Sequence, residues 1–212
     1  MKKELLIIGG TSTALEIYEA VQMGKKSKYG VITFVIGDHE KVNTNFNTIK
    51  DSELNSYVLG KDASYIISLT NHKLRIKLVE TMEAVGLKPV NVVHPLAMIS
   101  PTAKLGLGIY VAAGTKISAN TTLGNHCILN YNTVIGHDAV LDEHVIINPG
   151  VRVSGNVHVG TRVLIGANSV VYQGKRIGAD VMVDAMTYVK HNINNGMICS
   201  NSAQLKVLKR VI

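Results

Sequence analysis

From Ile99 onward an aliphatic side chain returns at every sixth residue: Leu105, Val111, Ile117, Leu123, Leu129, Ile135, Leu141, Ile147, Val153, Val159, Ile165, Val171, Ile177, Val183 and Val189. An α-helix repeats its faces about every 3.6 residues and a strand every 2, so neither makes this beat. A chain wound around a triangular prism does, with each hexapeptide forming one face and one corner and about eighteen residues closing a coil. The position four after each aliphatic residue is mostly small or β-branched, as in Ala103, Thr115, Thr121, Cys127, Thr133, Ala139, Val145 and Val151, which suits the tapering space near a corner. The position just after is often Gly or Asn, as in Gly106, Gly124, Asn130, Gly136, Gly160, Gly166 and Gly178. These are expected to take backbone angles that other residues avoid. The pattern predicts a parallel β-helix of about five coils from Ile99 to Lys190.

The first ninety residues follow a different rule. A strand over Leu5 to Ile8 runs through a Gly-Gly-Thr-Ser-Thr turn into a helix from about Thr13 to Gly24, with Leu15, Ile17, Tyr18 and Val21 as its apolar stripe. Further strands are expected at Val31 to Ile36 and Tyr65 to Leu69, a helix from about Asn71 to Val85, and a last strand near Val90 to Val93. This describes a small Rossmann-like α/β domain over residues 1–94, followed by the prism over 95–194 and a tail over 195–212. Ligands of such sheets sit at the carboxyl ends of the strands, so Gly9, Thr11, Ser12, Thr13, Asp38, Thr70 and Asn71 should surround one crevice for a sugar or nucleotide. The turn lacks the full G-x-G-x-x-G spacing, so a domain kept only for folding and assembly shape is the alternative.

Composition narrows the rest. With no tryptophan and two phenylalanines, the core must be aliphatic. The formal net charge of +7 suits a polyphosphate ligand as well as nucleic acid or an anionic membrane. Basic residues are spread along the chain apart from Lys25-Lys26 and Lys206 to Arg210, and no aromatic-interleaved RNA motif is present, so nucleic acid is not expected as a partner. Cys127 and Cys199 are too few and too distant for a disulfide framework or zinc cluster. The apolar run Leu5 to Ile8 is too short for a signal peptide and no later segment reaches bilayer length, so a cytoplasmic protein without membrane contact is expected.

Several segments together resemble the PglD/NeuD-like bacterial sugar acetyltransferases, which join a Rossmann-like domain to a left-handed parallel β-helix. They are Ile7-Ile8-Gly9-Gly10, Ser68-Leu69-Thr70-Asn71, Val92-Val93-His94-Pro95, and Val134 to Val140 running on to Asn148-Pro149-Gly150 and Ser154 to Val157. The resemblance implies an acetyl-CoA-dependent N-acetyltransferase acting on a nucleotide-linked amino sugar for surface polysaccharide or glycan synthesis. It also implies a homotrimer.

On this resemblance His137 is the general base and Asp138 the carboxylate that orients it; an imidazole titrating near neutrality suits that task. Ala167 and Ala185, one coil apart, match positions along the acetyl-CoA pantetheine arm, and Ile146 falls where one member carries a second histidine. The chain departs from the family in having Ser12-Thr13-Ala14 for Gly-His-Gly and Ser200-Asn201-Ser202-Ala203 for the terminal Gly-x-Pro-Ala.

An O-acetyltransferase of a sialic-acid-like sugar would use the same base. A zinc carbonic anhydrase of the same prism fold needs three converging histidines, whereas His137 and His144 are seven residues apart without an obvious third. His126 and His144, one coil apart, should stack at about 4.8 Å, which permits a metal but does not require one, and none is expected. His126, His144, His158 and His191 otherwise read as solvated surface residues. A catalytically silent scaffold is the remaining class.

Overall fold

The computed structural model describes residues 3–10, 12–24, 29–41 and 45–201. Its first domain contains β1 (Lys3–Ile8), α1 (Ser12–Met23), β2 (Tyr29–Ile36), β3 (Thr48–Lys50), α2 (Leu54–Val58), β4 (Ala63–Ile67), α3 (His72–Ala84) and β5 (Lys88–Pro89). The five strands form one parallel sheet in the order β3-β2-β1-β4-β5. Strands β1 and β4 are buried almost throughout, and that explains their near-continuous apolar runs. Helix α3 begins where the Asn71 side chain accepts a hydrogen bond from Leu74 N at 3.1 Å, an N-cap worth about 1 kcal/mol.

Several elements differ from the sequence expectation. The short β3 and α2 were not foreseen, because a three-residue strand and a five-residue helix carry too few periods to register. Val92–Val93 does not extend the first sheet: it pairs with Tyr110–Val111 and is the first rung of the prism, while Lys88–Pro89 closes the sheet beside β4.

From Val92 the chain winds as a left-handed parallel β-helix of two-residue rungs. A seven-stranded first face starts at Val92–Val93, a six-stranded second face at Met98–Ile99 and a five-stranded third face at Lys104–Leu105. From Val92 to Val189 the rungs stack on residues eighteen positions away, as Ile117 does on Ile135 and Ile135 on Val153, and the last rung, Ile198–Cys199, pairs with Met182–Val183 sixteen positions back. The aliphatic residues of the beat from Val111 to Val189 are at most 3 % exposed, each side chain contributing about 1.5–3 kcal/mol. Threonines of the companion position are also interior, their hydroxyls donating to corner carbonyls: Thr121 Oγ1 reaches Ser118 O at 2.9 Å and Gly136 O at 3.0 Å.

The unusual backbone angles lie elsewhere than the sequence suggested. Positive φ falls on the corner residue three after each aliphatic position from Leu105 to Val183, as in Asn120, Asn132, Asp138 and Asn156. Gly136 is required for a different reason: a Cβ there would stand 2.5 Å from Gly155 N, so the next coil is too close for any side chain.

The two domains share apolar packing. Leu5, Ile7, Ala14, Ile17 and Val21 lie in one cluster with Val92, Tyr110, Ile128 and Ile146 of the first face. Among the described residues no helix is long and apolar enough to cross a membrane.

Candidate active site

His137 and Asp138 form a corner between the second and third faces. The two ring and carboxylate atoms His137 Nδ1 and Asp138 Oδ2 are 2.7 Å apart. An ionised carboxylate only accepts, so Nδ1 carries the proton and donates, which leaves Nε2 with a free lone pair. One coil earlier, Asn120 Nδ2 donates to the other oxygen, Asp138 Oδ1, at 3.1 Å. The hydrogen bonds from His137 first and Asn120 second hold the Asp138 carboxyl below the usual carboxylate range. One coil later lies Gly155, where a Cβ would stand 2.6 Å from His137 Nε2 and 2.7 Å from Cε1. The imidazole therefore lies over the bare backbone of Gly155. Both side chains are about half exposed in the single chain, at 57% for His137 and 44% for Asp138.

Asn120 and Gly155 were not singled out as site residues from sequence. Their signal was available, since 137 plus or minus about eighteen marks the residues stacked on this corner.

Ala167 and Ala185 stack on each other at the corner between the first and second faces, with Met186 N donating to Ala167 O at 2.8 Å. Ala185 is exposed and Ala167 half-buried. Ala167 lines a groove of about 540 Å³ with Lys116, Tyr131, Asn132, Arg152 and Asn168. Arg152 is anchored there by donating from Nη1 to Asn132 O at 2.6 Å and Gly150 O at 2.9 Å. This edge and the His137 edge are thus the two borders of the second face. The third coenzyme candidate requires correction: Ile146 is 0 % exposed and turned into the interdomain cluster, so a bound coenzyme has no access to its side chain.

In the first domain Gly9 ends β1 with φ 118°, and a Cβ there would stand 2.5 Å from Ser68 Oγ. Ser12 and Thr13 open α1, and Thr70 and Asn71 follow β4 as exposed residues, so these positions gather at the carboxyl ends of β1 and β4. Asn71 also spends its side-chain oxygen on capping α3. Asp38 follows β2 and accepts from Ser52 Oγ at 2.8 Å, the first of the hydrogen bonds that hold its carboxyl below the usual carboxylate range. A residue missed from sequence stands nearer to the glycine turn: Glu40 accepts from Gly37 N at 3.1 Å, and its other oxygen lies 2.9 Å from where a Gly10 Cβ would be. Thr11, expected in the same crevice, lies outside the described residues, as do Ser202 and Ala203 of the terminal element.

The remaining histidines divide. His126 is buried at 5 % exposure and His144 half-buried, so neither is the solvated residue expected; α3 and β4 of the first domain cover that corner. Their rings stack at 5.0 Å between centroids. His158 Nε2 pairs with Asp142 Oδ2 at 3.0 Å, and His191 is exposed. Among the described residues no group of three His, Cys, Asp or Glu is placed to hold a metal ion.

No protein-family model matches the chain, and no curated protein matches it in sequence. Solved structures do. The acetyltransferase domain of PglB from Neisseria gonorrhoeae, in complex with acetyl coenzyme A, is similar with a TM-score of 0.88 and 26% identity, over 95% of this chain and 97% of that one. PerB from Caulobacter crescentus, in complex with CoA and GDP-perosamine, is similar with a TM-score of 0.86 and 26% identity, over 94% of this chain and 95% of that one. WeeI from Acinetobacter baumannii shares the fold, with a TM-score of 0.84 at 21% identity over 94% of this chain and 98% of that one. The resemblance expected from sequence is thus met in structure along nearly the whole chain.

Proposed function

We propose that the protein transfers the acetyl group of acetyl-CoA to the amine of a nucleotide-linked amino sugar, with His137 as general base. The observation that carries this reading is the Asn120–Asp138–His137 hydrogen-bonded chain, which holds one imidazole tautomer and leaves the lone pair on Nε2 of a half-exposed ring. PglB and PerB, the structures similar over nearly the full chain, are solved with acetyl-CoA and with CoA plus GDP-perosamine.

As the amine nitrogen attacks the thioester carbonyl, a carbon–nitrogen bond forms and the amine becomes acidic. Nε2 accepts that proton, and the collapse of the tetrahedral intermediate breaks the carbon–sulfur bond. The departing CoA sulfur takes the proton back from the imidazolium, so the base is regenerated. Asp138 stays ionised throughout and stabilises the transient positive charge, the division of labour seen wherever carboxylate and imidazole are paired for acyl transfer. Proton transfer of this kind contributes about 10² to 10⁴ in rate.

Ala167 and Ala185, on the opposite border of the second face from His137, are proposed contacts for the pantetheine arm. A single chain does not bring the two borders together, and Met98, Val170 and Tyr188 are exposed along the face between them. We read this face as covered by further copies in a homotrimer, with the thioester lying between the Ala167 edge of one copy and the His137 edge of the next. Gly9, Ser12, Thr13, Asp38, Thr70 and Asn71 border the proposed nucleotide-sugar crevice, and Thr11 completes the sequence proposal there. The reading implies a cytoplasmic enzyme, in the compartment that supplies acetyl-CoA and nucleotide sugars, serving surface glycan synthesis.

The test is thiol release from acetyl-CoA against UDP- and GDP-linked amino sugars beside sialic-acid-type hydroxyl acceptors. Turnover on an amino sugar supports the proposal. Turnover on hydroxyl acceptors alone moves the protein to O-acetylation, and silence on all acceptors without acetyl-CoA binding leaves a scaffold.

A further inference from the structure

Arg75 is wholly buried, yet among the described residues no carboxylate pairs with it. Its guanidinium reaches in two directions. Nη1 donates to Leu69 O at 2.5 Å and to Ile67 O at 3.4 Å, at the carboxyl end of β4. Nη2 donates to His126 O, on the prism corner between the third and first faces. Nε has no partner. Burial lowers the group to about 10, so it remains charged at neutral pH.

A buried, unpaired cation is an expensive way to join two domains that already share an apolar core, since a hydrophobic residue of similar size would pack there without desolvating a charge. What the guanidinium supplies and an apolar side chain does not is direction: its planar fork fixes carbonyls at set positions. The carbonyls it fixes belong to residues on either side of Ser68. Ser68 N and Oγ both donate to Ile8 O, and Ser68 packs against Gly9. Thr70 and Asn71 follow directly. On the prism side, the His126 ring stacks on that of His144, whose carbonyl meets His72 Nε2 at 3.0 Å at the start of α3. His144 belongs to the same turn of the prism as His137.

We infer that Arg75 is a positioning residue, tying the β1/β4 end of the acceptor crevice to the prism so that a bound sugar amine is presented in register with the His137 edge. The inference rests on the acetyltransferase reading above, and it adds a residue outside both the crevice and the catalytic pair.

The experiment compares full-length Arg75→Met and Arg75→Lys with wild type. Misplacing a reactant by about 1 Å can cost about a hundredfold in rate, so Arg75→Met should lose at least about tenfold in kcat on the amino-sugar acceptor. The acetyl-CoA Kd should stay within about twofold, since Arg75 meets the prism at the His126 corner and the proposed coenzyme contacts Ala167 and Ala185 lie on another, and Arg75→Lys should recover part of the loss by keeping the charge and a subset of the three carbonyls. If Arg75→Met does not accumulate folded, Arg75→Lys carries the same expectation at smaller size. An unchanged kcat and KM for the acceptor would overturn the inference, and so would an equal loss of acetyl-CoA affinity, which would place the role of Arg75 in the prism. A readout independent of turnover is amide hydrogen exchange. Faster exchange over 67–71 with unchanged prism amides supports the tie even if no acceptor is turned over, and unchanged exchange there rejects it.

Discussion

His137 and Asp138 are neighbours in the chain, yet their side chains meet at 2.7 Å because Asp138 occupies a corner with φ 57°. In an extended strand consecutive side chains point to opposite sides; the left-handed corner turns both outward together. Asp and Asn are among the few side chains that tolerate this backbone, so aspartate serves conformation and chemistry at once.

Asp138→Asn should therefore keep the fold and lose activity. Asn120 Nδ2 donates into this position, so the carboxamide oxygen of the variant would turn toward Asn120 and its NH2 toward His137. That forces the proton onto Nε2 and removes the base. Steady-state kinetics should show kcat lower by about 10² or more, with little change in thermal stability.

Gly155→Ala tests the geometry from the other side of the ring. Gly155 has no positive φ, so alanine suits its backbone, but the new Cβ would stand 2.6 Å from Nε2 and must tilt the imidazole. We expect kcat to fall about tenfold to a hundredfold while circular dichroism is unchanged.

How much of this was legible in the sequence follows from periodicity. The six-residue beat specified the prism because each aliphatic residue is interior, and stacking at about eighteen residues then placed Ala167 under Ala185 without a structure. Asn120 and Gly155 were reachable by the same arithmetic. Ile146 was misplaced because the beat distinguishes interior from exterior, not an exterior face open to solvent from one covered by another domain. His126 and His144 were misread for the same reason: α3 covers their corner, and no local pattern in either segment announces that packing.

Ile146→Ala should separate the two readings of that residue. Removing a wholly buried side chain from the interdomain cluster should cost about 2–5 kcal/mol by chemical denaturation. The KM for acetyl-CoA should not move.

The interdomain corner also predicts a pH dependence of stability. Desolvation first, then Arg75, lowers His126 and His144 to about 4; His126 is faced by Tyr65, Arg75 and His144, and His144 by His126, His72, Arg75 and Arg162. Between the ordinary histidine value of about 6.5 and about 4 the unfolded chain binds protons that the folded chain refuses. Stability is therefore fully present above that window and lost as pH falls through it. Urea midpoints should decline from pH 7 to pH 5, and more shallowly in His144→Gln.

The most direct test of the account is the rate of acetyl transfer to a nucleotide-linked amino sugar by wild type and His137→Ala, measured at saturating acetyl-CoA beside the acetyl-CoA Kd. The account predicts a fall of about 10² to 10⁴ in kcat with the Kd unchanged. A variant that transfers acetyl groups at the wild-type rate would contradict it.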